Sequence, residues 1–301
     1  MAANNTKIQK HEKTISDKYN IPLSILALIL SLFVLFPLYI VVINSFKSTD
    51  QIFSDQLGWP APFHPENYNY AFEKMNYLTS LKNSVIVVLI SVILIVIVGS
   101  MAGWAIARRN TKGSNALYYI FLATMIIPFQ AVMLPLVQYF SNWTFKFNLF
   151  GQEHTFKMVG SLYGLIFFNL GFGLALAVII FVAAVKNIPL EVEESAYIDG
   201  ATKAQTFWRI IIPNLKTPMA IVAILNTFTY WNDYLLPSLV LTQNPELRTI
   251  PLSTFYFFGE FNIQWNYALA ALVLTLIPVI IFFLLAQKWI VGGIMAGAVK
   301  G

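Results

Sequence analysis

The chain is 301 residues long, with 57% hydrophobic and 11% charged residues. A soluble domain carries about 25% charged residues to cover its surface, so this composition excludes an ordinary water-soluble globule. The net charge of +5 calls for no nucleic-acid partner, and the absence of cysteine excludes disulfides, thiol catalysis and thiolate metal sites.

Residues 1–20 read as a polar N-terminal tail. Six apolar blocks follow, each near the roughly 20 residues that a helix needs to cross hydrocarbon: Ile21–Ile43, Leu81–Ala107, Leu117–Phe140, Ser161–Val185, Pro218–Leu241 and Tyr267–Ile290. Backbone polar groups find no water in lipid, so each block is expected to be helical. The first block is too long for a signal-peptide core and no small-residue cleavage site follows it, so it reads as an uncleaved anchor. With six spans both termini share one side. Thirteen of the 19 Lys and Arg residues, Arg108 and Arg109 among them, then fall on that side and six on the other. By the positive-inside bias the termini are cytoplasmic.

Between the spans, residues 44–80 form an outer loop in which Pro65-Glu66-Asn67-Tyr68 opens a short helix. Arg108–Ala116 is a tight basic turn, Ser141–Gly160 an aromatic-rich outer loop, and Thr242–Asn266 another outer loop. Gly99-x-x-x-Gly103 and Gly160-x-x-x-Gly164 are patterns that let helices approach closely.

The hydrophilic inner stretch Ile188–Thr217 is long and charged for so apolar a chain. It reads as two short helices. Asn187 caps the first, with Pro189 in its opening turn and Glu191, Glu193 and Glu194 near its positive end. Gly200 supplies a left-handed stop, Thr202 and Gln205 form a capping box for the second helix, and Pro213 ends it.

Within the fifth block Asn226, Thr229, Tyr230 and Asp233 fall at i, i+3, i+4 and i+7, one face of a continuous helix, with Trp231 beside them. An acid at membrane depth is costly unless it faces protein or water. This polar, aromatic stripe suits the wall of a pathway for hydroxyl-rich solutes; the alternative is a polar seam against a neighbouring membrane subunit. Thr124, Gln130, Gln138 and Asn169 are weaker lining candidates.

The pattern Glu194-Ser195-Ala196, Gly200, Ile210-x-Ile212-Pro213 resembles the E-A-A…G…I-x-L-P loop of ATP-binding-cassette importer permeases, with Ser195 where that family usually has Ala. Asn44-Ser45-Phe46-Lys47 with Pro65–Tyr68, Arg248–Leu252, and Gln287–Gly293 with Ala298–Gly301 are similar to the maltose and multiple-sugar branch. The resemblance implies an all-α membrane protein of six transmembrane helices with the type I importer permease fold. Its permease domain would be 21–291, with a coupling loop at 186–217 and a C-terminal tail at 292–301. It implies a bacterial cytoplasmic-membrane subunit that moves a sugar, an oligosaccharide first, and is not itself an enzyme. The partners it implies are a second, non-identical permease subunit, two ATPase subunits and an extracytoplasmic solute-binding protein. Glu194, Ser195, Ala196, Gly200, Ile210, Ile212 and Pro213 would receive the ATPase stroke. The chain has no G-x-x-x-x-G-K-[ST] phosphate loop, so ATP and Mg are expected on the partner subunits.

Rival readings are the same machine carrying a monosaccharide or a glycerophosphate, and an ion-coupled carrier. The carrier usually needs buried charges, whereas Asp233 is the only acid within the six blocks. His11, His64 and His154 have no metal-ligand spacing, Gly171-x-Gly173 is no dinucleotide site, and no catalytic constellation stands at membrane depth.

Overall fold

The computed structural model describes residues 2–109, 111–149, 152–241, 244–259 and 263–298. In chain order the helices are α1 (Ala2–Asn44), α2 (Thr49–Ser54), α3 (Glu66–Lys74), α4 (Tyr77–Arg108), α5 (Lys112–Thr124) and α6 (Phe129–Phe140). After a hairpin of β1 (Thr144–Leu149) and β2 (Gln152–Lys157) come α7 (Leu162–Lys186), α8 (Leu190–Ile198) and α9 (Lys203–Thr206). A π-helical turn, Phe207–Ile211, leads into α10 (Ile212–Asn214), α11 (Lys216–Trp231), α12 (Leu235–Leu241), α13 (Ile250–Thr254) and α14 (Trp265–Ala298).

Among the described residues, four stretches are long and apolar enough to cross a membrane as single helices: Ile21–Asn44, Tyr77–Arg108, Leu162–Lys186 and Trp265–Gln287. They match four of the expected spans to within a few residues. The other two spans are not straight helices. Lys112–Thr124 and Phe129–Phe140 meet at 104°, and Lys203–Asn214 and Lys216–Trp231 meet at 75°, so the count reaches six only if each bent pair is one span. The first break precedes Pro128, whose ring disfavours helical backbone in the residue before it. The basic turn is also shorter than expected, because Thr111 caps α5 by accepting from Ser114 N–H at 3.2 Å.

Both chain ends are more helical than the sequence reading. Backbone helix begins at Ala2 and, at the other end, continues to Ala298. Val299–Gly301, the end of the family-like C-terminal motif, lies outside the described residues.

The chain divides into two units. The first comprises residues 1–71 and 257–274. Here the two family-like segments of the 44–68 region lie together. Asn67 Nδ2 donates to the carbonyls of Ser45 and Lys47, both at 2.9 Å, and Ser45 Oγ meets Tyr68 Oη at 2.6 Å. Lys47 is buried and donates to the Asp55 carbonyl at 2.7 Å, while Ser48 and Gln51 cap α2 reciprocally. The imidazole of His64, 2.6 Å from Glu66, holds that carboxyl below its usual range. The apolar window of Ile21–Asn44 is entirely uncovered.

The second unit comprises residues 72–256 and 275–301. Its centre is the packing of α4 on α7, with α11 laid against both. Gly99 and Gly103 make this contact close: a Cβ at Gly99 would lie 2.9 Å from the Cβ of Ala177. Gly160 and Gly164 are not a helix face, because Gly160 sits in the turn before α7 with a φ of +87°. Ile95, Phe181, Ile211, Leu215 and Val222 form the core of the unit. At the start of α4, Ser80 meets Ser253 at 2.6 Å, and Asn83 donates to the carbonyls of Glu246 and Arg248. Ser84 accepts from Ile250 N–H at 2.8 Å, so one face of α4 holds the whole 246–253 segment. The aromatic stretch after α6, expected to be an irregular loop, is in part an antiparallel hairpin pairing Thr144 with Lys157 through Leu149 with Gln152.

Candidate functional site

The connection between α7 and α11 is built as helix, glycine turn, helix. The first helix begins later than expected: Asn187 closes α7, and Pro189, with extended backbone, stands before α8. Glu191 and Glu193 still occupy the first turn, where the helix dipole favours acids. At the other end Gly200 N–H donates to Tyr197 O at 3.1 Å and Ala201 N–H to Ala196 O at 2.9 Å, the pair of bonds of a Schellman stop. That stop requires the positive φ of +82° found at Gly200. The capping box is present as expected: Gln205 N–H donates to Thr202 Oγ1 at 3.3 Å, and Thr202 N–H donates to Gln205 Oε1 at 2.8 Å.

The second helix is wider than an α-helix. From Phe207 to Ile211 the bonding is π-type, and Ile212 N–H reaches back to Phe207 O. Pro213 explains the need, since it has no N–H and its ring would crowd a carbonyl four residues earlier. It lies inside α10 and does not itself end the helix; the bend comes at Leu215.

The arrangement separates two faces. Ala196 is buried, Ile210 and Ile212 are half-buried, and Glu194, Ser195, Gly200 and Pro213 are exposed. Around the exposed residues, Ile198 is 86% exposed, with Tyr197 and Trp208 also largely open. Between the two helices lies a hollow of about 230 Å³ lined by Asp199, Gly200, Ala201, Gln205, Arg209 and Ile210. The connection thus presents an open apolar tip beside a charged, cupped flank.

The opposite side of α8 carries the feature that sequence reasoning missed. Glu193 is 2% exposed. Its Oε1 accepts from Arg108 Nε at 2.7 Å, and its Oε2 from Trp104 Nε1 at 3.0 Å. Arg108 Nη2 donates in addition to the Ile188 carbonyl at 2.8 Å. The available signal was the i, i+4 spacing of Trp104 and Arg108 at the end of an apolar span.

The polar residues of the fifth span do not form one stripe. Helix α11 ends at Trp231 and α12 starts at Leu235, so Asp233 stands in the break. Its Oδ1 accepts from Leu235 N–H at 2.9 Å and Leu236 N–H at 3.4 Å, which fixes the start of α12. Asn226 is buried against α7, where a Cβ added at Gly173 would meet its Oδ1 at 2.8 Å. Tyr230 Oη donates to the Asn169 carbonyl at 2.7 Å, and Asn169 Nδ2 reaches Ser91 Oγ at 3.3 Å. Thr229 is exposed and bonds back to Leu225 O at 2.9 Å; Trp231 is half-buried with its Nε1 unpartnered. Of the weaker candidates, Asn169 is buried in this cluster, while Thr124 bonds to its own helix at Phe121 O.

Residues 95–295 match the model of the family described as binding-protein-dependent transport system inner membrane component. The chain is 39% identical over 278 residues, 92% of it and 96% of the relative, to a probable starch degradation products transport system permease protein, AmyC, of Thermoanaerobacterium thermosulfurigenes. It is 29% identical over 93% of its length to the melibiose/raffinose/stachyose import permease protein MelC of Bacillus subtilis, covering 96% of that relative. Among solved structures, a chain of a bacterial ABC transporter involved in importing the acidic polysaccharide alginate superposes with a TM-score of 0.71 at 18% identity, over 90% of this chain and 95% of that one.

Proposed function

We propose that this chain, which belongs to the family of binding-protein-dependent transport system inner membrane components, is a permease subunit that carries an oligosaccharide through a bacterial cytoplasmic membrane when partner ATPases bind and hydrolyse ATP. The observation that carries the substrate class is the near full-length likeness to a permease named for starch degradation products. In this reading the chain pairs with a second, non-identical permease subunit, two ATPase subunits that hold ATP and Mg, and an extracytoplasmic solute-binding protein.

The exposed face of the 187–217 connection is the part that meets the ATPase. Ile198, Tyr197 and Trp208 bury apolar surface in a groove of the ATPase, and Glu194 and Ser195 lie beside them on the same open side. Gly200 sets the angle between α8 and α9; Ala196, Ile210 and Ile212 hold that angle from behind, and Pro213 keeps the turn after α9 wide. For the solute pathway, Thr229, Trp231 and Asp233 around the helix break are the facing residues. Asn226 and Tyr230 support them by tying α11 to α7.

The test is to co-produce the chain with its ATPase and second permease from the same organism, purify the complex, and measure ATP turnover with the solute-binding protein. Mono-, di- and oligosaccharides and a glycerophosphate would be screened. Stimulation by oligosaccharides is expected. Stimulation by the glycerophosphate alone overturns the substrate class, and failure of the ATPase to co-purify overturns the machine.

A further inference from the structure

Helix α8 is only nine residues long and buries just two of them, Glu193 and Ala196. A helix that short is marginal by itself, so its attachment to the rest of the unit decides how it moves. One of the two attachments is a carboxylate. A buried carboxylate persists only when its partner is close and its remaining lone pairs are satisfied. Here both oxygens are used, one by Arg108 and one by Trp104, and Arg108 also holds the Ile188 carbonyl at the foot of the same connection. The second helix of the connection is held by the same turn of α4, because the Phe207 ring lies 5.4 Å from that of Trp104.

We infer that Arg108, acting through Glu193, is a positioning residue that makes α8 and the C-terminal end of α4 one rigid lever, so that a push on the exposed tip of α8 turns α4 instead of swinging α8 alone. The inference rests on the proposed docking of α8 to an ATPase. Its basis is directional. An apolar contact of equal strength would let α8 slide and rotate, whereas the guanidinium fork fixes the carboxylate and the Ile188 carbonyl in one relative geometry. Glu191 and Glu194, exposed on either side, cannot substitute, since neither faces α4.

The native chain has no cysteine, so spin labels can be placed at two exposed positions, Glu191→Cys on α8 and Arg109→Cys after α4. In the purified complex with its ATPase, the distance distribution between them is expected to be narrow and unchanged by ATP with Mg. With Glu193→Gln or Arg108→Gln it is expected to broaden and become nucleotide-dependent, with the ATPase still bound. Arg108→Lys, which keeps the charge and loses the fork, is expected to fall between. ATP-driven uptake per ATP hydrolysed, read with the sugar that most stimulates the wild-type complex, should drop about tenfold or more in the Gln variants, as a misplaced mechanical contact would cause. A wild-type distance that itself changes with ATP, or Gln variants as narrow as wild type, overturns the lever. A third label on the ATPase, beside its groove, separates this from the premise: if its distance to α8 is long or broad even in wild type, it is the docking that has failed.

Discussion

Gly103 and Phe181 bring the backbones of α4 and α7 together: a Cβ at residue 103 would stand 2.5 Å from the Phe181 Cβ and 3.2 Å from its carbonyl carbon. The obstruction is main chain and Cβ, neither of which can rotate away. The two helices would have to separate along the face that also carries Gly99.

Gly103→Ala is therefore expected to destabilise the chain by about 1–3 kcal/mol, the usual cost of overpacking. Gly113→Ala, at a site with open space around it, is the matched control. Thermal unfolding in detergent measures the difference. Equal melting temperatures for the two variants would contradict the close contact.

Gly200 is a different kind of glycine. Nothing lies within 4 Å of a Cβ built there, so space is not the constraint; its φ of +82° is. Gly200→Leu is expected to cost about 1–2 kcal/mol in the turn and to change the angle between α8 and α9. The complex should still insert while sugar uptake falls severely. Gly200→Asn, a residue that tolerates the left-handed region, should retain much of the uptake. Normal uptake by the Leu variant would remove the turn from the coupling scheme.

Asp233 offers a test that separates capping from transport. If its only part is to start α12 through the Leu235 and Leu236 amides, Asp233→Asn preserves that part and Asp233→Ala loses about 1 kcal/mol of stability. If it also faces solute, the Asn variant alters uptake or the range of sugars accepted without altering stability. Measuring both quantities on both variants assigns the residue.

Tyr230 is expected to behave as support. Tyr230→Phe removes the donor to the Asn169 carbonyl and leaves the ring, so a loss of about 1 kcal/mol in stability with unchanged sugar selectivity is expected. A change of selectivity in this variant would put the hydroxyl in the pathway instead.

The cores of the spans were legible because long apolar runs have few alternatives. The 187–217 connection was legible because Gly200 and the Thr202–Gln205 box are local signals that tertiary context did not override. The breaks were not. Hydrophobicity continues through Met125–Pro128 and on both sides of Asn232–Tyr234, so an average over residues sees one span where the backbone has two pieces. Asp233 left the expected stripe for the same reason, since its spacing from Asn226, Thr229 and Tyr230 assumed a helix that stops at Trp231. Glu193 was hidden by its company. Three acids within four residues read as a solvated face, and only the packed structure separates the buried one from Glu191 and Glu194.

The widened turn at Phe207–Ile211 acts as a one-residue phase shift. Each residue of a helix advances about 100° around its axis, so one extra residue in a turn swings everything before it by that much relative to everything after. Removing a residue between Trp208 and Ile210 would force ordinary helical spacing there, with the Pro213 ring now crowding the carbonyl four residues before it. It would also carry α9 and the Thr202 cap roughly a quarter of the way around the α10 axis. Length in this segment is thus a setting of direction: a homologue one residue shorter here would aim α9 elsewhere with every flanking residue intact.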